Sequence, residues 1–179
     1  LIPDGEKESS EAFLTGTIWI LTLLKNTQTR TPLFGCFGLH EWAMLYRTEK
    51  PRHSQLALRV HPDELARVVE QGPLQCTHFD AFRFFTKKAR PLNQVRIERE
   101  DAFAHEQPGC LHANMDVYRW AFKRAPWISS RLTMDAFEEA MKIRELDMAA
   151  SPYDLSEFGI EPVAIETRAG REEYIRSQR

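Results

Sequence analysis

The stretch Cys110 to Lys123 constrains this chain most. Leu111, Met115, Tyr118 and Phe122 recur at i, i+4, i+7 and i+11, with His112, Asp116, Arg119 and Lys123 in step beside them. That period belongs to an amphipathic helix and to no strand, so a helix needing an apolar partner surface lies here. A second such partner follows. Residues 133–150 place Phe137, Met141 and Met148 on one stripe, with Ser130 or Thr133 as the cap and Ser151-Pro152 as the stop.

The rest of the chain reads mainly as helix too. His61-Pro62-Asp63-Glu64 opens a helix with Pro in the first turn and acids behind it, and Gly72-Pro73 closes it. Residues 11–25 read as a buried helix, although Ile18-Trp19-Ile20-Leu21 suits a strand equally well. Helices are also expected over Leu39 to Arg47, over the aromatic segment 78–88, and from Gly170 onward. Residues 1–10 form a polar lead-in, Thr48 to Ser54 a surface loop, and Leu56 to Val60 a short strand. The segment Glu161 to Thr167 reads as a loop or short strand. No internal repeat appears. The expected fold is mainly α: one compact helical domain over 11–179, with room for one small β-hairpin.

Composition narrows the function classes. The net charge of −2 over 179 residues gives no broad electrostatic attraction to nucleic acid or anionic membrane. The longest apolar run, Ala12 to Leu24, is interrupted by Thr15, Gly16, Thr17 and Thr22 and falls short of the ~20 residues a bilayer span needs. Glu6, Glu8 and Glu11 stand where a secretory signal would carry basic residues. Three cysteines without a ladder of spacings do not make a disulfide framework. An intracellular, reducing compartment, cytoplasm or organelle interior, is the expectation.

Each cysteine has a histidine and an acid close by: Cys36 with His40 and Glu41, Cys76 with His78 and Asp80, Cys110 with His112 and Asp116. These side chains bind metals or move protons near neutral pH. Cys-x-His occurs twice, which makes Cys76, His78, Cys110 and His112 a candidate set for zinc or iron. No paired-cysteine or two-histidine zinc spacing accompanies it. The plainer account is that the cysteines fill the core and that His112, Asp116, Arg119 and Lys123 pair on a solvated face. Arg144 falls in the apolar stripe of its helix with Asp147 three residues on, so it either anchors the helix as an ion pair or holds an anion. On the aromatic segment, Phe79, Phe82, Phe84 and Phe85 carry His78, Asp80 and Arg83 into or beside the core.

The segments FGCFGLHEWAMLYR (34–47), CTHFDAFRFFT (76–86), EQPGCLHANMDVYRWA (106–121) and IRELDMAASPYDL (143–155) resemble blocks of a bacterial, mostly actinobacterial, family labelled 3-methyladenine DNA glycosylase. The resemblance runs over residues 30–179, and members of that family carry a further N-terminal segment. It implies an N-glycosidic hydrolase acting on DNA with no cofactor. Glu41, Asp80 or Asp116 would then activate water, His40, His78 or His112 would orient it, and Arg83 or Arg144 would hold an anion. Two alternatives stand beside it: a zinc or iron enzyme built from the Cys, His and acid groups, and a non-catalytic helical subunit of a larger protein assembly.

Overall fold

The computed structural model describes residues 4–49, 51 and 53–179, with side chains from residue 10 onward. Within them are eight α-helices: α1 (Asp4–Thr29), α2 (Leu39–Leu45), α3 (Pro62–Gln71), α4 (Phe79–Phe82), α5 (Ala102–His105), α6 (Leu111–Phe122), α7 (Ser130–Ala149) and α8 (Arg168–Gln178). The fold is mainly α. The residues expected to pair as a strand or hairpin make only one antiparallel bridge, Leu58 to Tyr153.

The α6–α7 pair forms the largest helix–helix interface, although Phe122 of one expected apolar stripe and Phe137 and Met141 of the other remain exposed. Ser129 caps α7 by accepting from the Leu132 N–H at 3.2 Å, one residue before the expected cap. The main core packs around Leu39, Trp42, Leu65, Leu74, Ile165 and Tyr174. A smaller core holds α1 through Ile20 and Leu23 against Ala102 and Trp120. The helix α1 begins at Asp4, so residues 4–10 are helical rather than a lead-in. Its burial is one-sided: Leu14, Ile18 and Leu21 are each more than half exposed. Residues 1–3 of that lead-in, and Lys50 and Arg52 of the 48–54 loop, lie outside the described residues. No described helix is long and apolar enough to cross a membrane.

Two local departures position the site. The aromatic segment is α-helical only over Phe79–Phe82. Thr86 then gives its N–H to Ala43 O at 3.3 Å and its hydroxyl to Tyr46 O at 3.0 Å, and these long-range bonds take the backbone out of the helix. The helix α2 starts at Gly38, whose φ is +72° and whose missing Cβ would lie 3.0 Å from Ala150 Cβ. Only glycine meets both demands without strain. One turn on, buried Trp42 donates its Nε1–H to Ala150 O at 2.8 Å. The start of α2 is thereby docked on the end of α7.

Candidate functional site

That docking sets His40 beside Asp147. Asp147, on α7, is fully buried, and a buried carboxylate needs partners. His40 Nε2 lies 2.8 Å from its Oδ1, and the Arg144 guanidinium, one turn earlier, lies 2.5 Å from its Oδ2. Arg144 also contacts Glu41 at 3.2 Å. His112, at the start of α6, presents its ring edge-to-face to His40 with centroids 4.5 Å apart. One ligand-type atom from each of His40, His112 and Asp147 falls within 4.8 Å of the other two.

The charges follow from burial and neighbours. Burial works against a protonated His40, but the Asp147 carboxylate outweighs it and the pKa is raised well above the ordinary value. Burial likewise opposes an ionised Asp147, yet His40, then His112 and Arg144, hold its pKa below the usual carboxylate range. For His112 burial wins, aided by the charge on His40, and its pKa falls to about 3. His112 is therefore neutral at physiological pH, and its ring makes no hydrogen bond among the described residues. His40 Nε2 and Asp147 Oδ1 approach closely but are not aligned for a hydrogen bond, so both enclosed atoms lack one.

A second cluster adjoins the first across His112, whose ring centroid is 5.5 Å from that of His78. His78 caps α4 by accepting the Ala81 N–H on Nδ1 at 3.3 Å. An accepting Nδ1 leaves the proton on Nε2 of a neutral imidazole. Nε2–H then donates to Asp116 Oδ2 at 3.3 Å, with Glu106 Oε1 at 3.6 Å. Burial first, then the carboxylates of Asp116 and Asp80, raise the pKa of Glu106. Arg119 bridges Asp116 at 3.3 Å to Asp80 at 2.8 Å, and Arg83 closes the chain on Asp80 at 3.0 Å, where solvent reaches.

All eight candidate residues from the sequence thus fall into two neighbouring clusters: His40, Glu41, His112 and Arg144 in one, His78, Asp80, Arg83 and Asp116 in the other. The set Cys76, His78, Cys110 and His112 is arranged differently from a ligand sphere. Cys76 donates its thiol hydrogen to His78 O at 3.4 Å, and burial pushes the Cys110 thiol up to about 12. His78 Nε2 carries the proton given to Asp116. Asp147, read from the sequence only as a partner of Arg144, is the member of the first cluster that the candidate residues leave out. Its spacing from Arg144 was the available signal. Nothing in the pattern around Glu106 marks it.

The three cysteines line a small cavity of about 20 Å³ with His40, His112 and Tyr174. Cys36 Sγ lies 3.7 Å from His40 Nδ1. A thiol acceptor on Nδ1 would leave the Nε2 lone pair free on the Asp147 side. No protein-family model matches this sequence, and no curated protein or solved structure matches it either.

Proposed function

We propose that this chain is a metal-dependent enzyme that holds one zinc or iron ion through His40, His112 and Asp147. Two imidazoles and one carboxylate are the donor set of catalytic zinc sites and of non-haem iron(II) sites that keep positions open for substrate. Bound there, zinc would supply an activated water and iron an oxygen-binding position. The observation that carries this reading is the 2.8 Å approach of two enclosed atoms, His40 Nε2 and Asp147 Oδ1, without a hydrogen bond, next to an unpartnered neutral imidazole. Arg144, through Oδ2 of Asp147, and Cys36, through Nδ1 of His40, would orient the two ligands from outside.

The N-glycosidic reading is less well supported by the same geometry. Glu41 is engaged by Arg144, Asp80 by Arg83 and Arg119, and Asp116 by His78 and Arg119. The cavity at the histidines admits one or two water-sized groups rather than a flipped base. A role in a protein assembly is compatible with a metal site and is favoured by the exposed stripe Leu14, Ile18 and Leu21 on α1.

Elemental analysis of protein purified without metal-affinity resin or chelator tests the proposal. The expected result is close to one zinc or iron per chain, lost in Asp147→Asn. Metal-free protein would return His40 and Asp147 to a buried ion pair.

A further inference from the structure

The helix α1 is apolar on two opposite faces. Ile20 and Leu23 turn inward onto Ala102 and Trp120. On the far side Leu14, Ile18 and Leu21 are each more than half exposed. The stripe continues by one turn at either end through Glu11 and Lys25, both exposed. From Glu11 to Lys25 these positions are spaced three, four, three and four residues apart. That spacing is the a/d seam of two heptads, a narrow and straight surface on which a second helix packs.

The seam is also complementary to itself. Glu11 and Lys25 stand equally far from Ile18, seven residues to either side. A two-fold axis at Ile18 lays two copies of α1 antiparallel, sets Ile18 against Ile18, and brings Glu11 of each copy to Lys25 of the other. A parallel pair would oppose Glu11 to Glu11 and Lys25 to Lys25. An isologous interface asks for self-complementarity of this kind, because one surface serves both subunits. We propose that this chain forms a two-fold homodimer by antiparallel pairing of α1, with Leu14, Ile18 and Leu21 at its centre and a Glu11–Lys25 pair at each end. The inference rests on α1 being an assembly surface and names a second copy as the partner. It shares no residue with His40, His112 and Asp147, so metal content and dimerisation succeed or fail separately.

Charge reversal tests it, with mass followed by light scattering over a dilution series at low ionic strength and with chelator present. The unaltered chain should approach twice its 20.8 kDa. Glu11→Lys and Lys25→Glu should each weaken the dimer about tenfold, because each turns two attractive contacts into two repulsive ones. An equimolar mixture of the two variants should restore the mass, since every end then meets its opposite, and that recovery shows that both variants fold. A chain at monomer mass throughout, as a seam covered by a different protein would leave it, overturns the proposal. A dimer that neither variant weakens, or that their mixture does not restore, overturns it as well.

Discussion

Acidification should destabilise this protein through His112. Its folded pKa of about 3 lies below the ordinary 6.5 because burial, and then the charge on His40, exclude the proton. A group depressed on folding contributes stability that is complete above the unfolded pKa and drains away as pH falls toward the folded one. Between pH 7 and pH 4 the unfolded imidazole takes up its proton while the folded one does not. At about 1.4 kcal/mol per pKa unit, that difference comes to about 3 kcal/mol. His40 acts the other way. Its raised pKa stabilises the folded chain fully below the unfolded value and less as pH rises through the folded one, which returns under about 1 kcal/mol over the same interval. Asp147 is depressed and so contributes above its unfolded value; its loss begins only near the bottom of the interval. The net expectation is a fall of about 2 to 3 kcal/mol, measured by urea unfolding at each pH with chelator present so that metal release does not add to it. His112→Asn, whatever its effect at pH 7, should flatten the acid limb by about 3 kcal/mol. An acid limb of the same slope in that variant would refute the assignment of a buried, neutral His112.

Three further outcomes follow from the packing. In metal-free protein, Asp147→Asn removes the carboxylate that keeps His40 protonated and that pairs with Arg144, and should cost about 3 to 5 kcal/mol, read as a lowered midpoint in urea. Gly38→Ala forces a Cβ into a left-handed residue and against Ala150, and should lower stability by at least about 1 to 2 kcal/mol in thermal unfolding. Ile18→Glu, on the exposed face of α1, should leave stability within about 0.5 kcal/mol. If that face is an assembly surface, the same change should reduce the molecular mass seen by light scattering.

The legible parts of this sequence were those where one helix states its own case. The Leu111–Phe122 stripe, the Pro62 start and the Gly72 stop each rest on neighbouring residues, and the helices lie there. The aromatic segment is helical over a shorter span than its pattern predicts, because Thr86 bonds to Ala43 and Tyr46, a contact no local pattern announces. The candidate residues came from local triplets of cysteine, histidine and acid. What joins His40 to Asp147 is a contact between the two ends of the fold, made by Gly38 and Trp42 on Ala150. The sequence marks both helices and is silent on their meeting. The polar face of α6 divides between the two readings the sequence leaves open: Asp116 pairs with Arg119 and Lys123 is solvated, while His112 and Asp116 also meet His40 and His78.

The Trp42–Ala150 hydrogen bond spans 108 residues of sequence. Closing so long a loop costs conformational entropy that no local contact offsets, and folds dominated by such closures form late. During synthesis, α2 and α6 leave the ribosome well before the end of α7. Until α7 has emerged as far as Ala150, Asp147 is not docked between His40 and His112, so an ion bound by the proposed ligand set would be taken up only after α7 has been made.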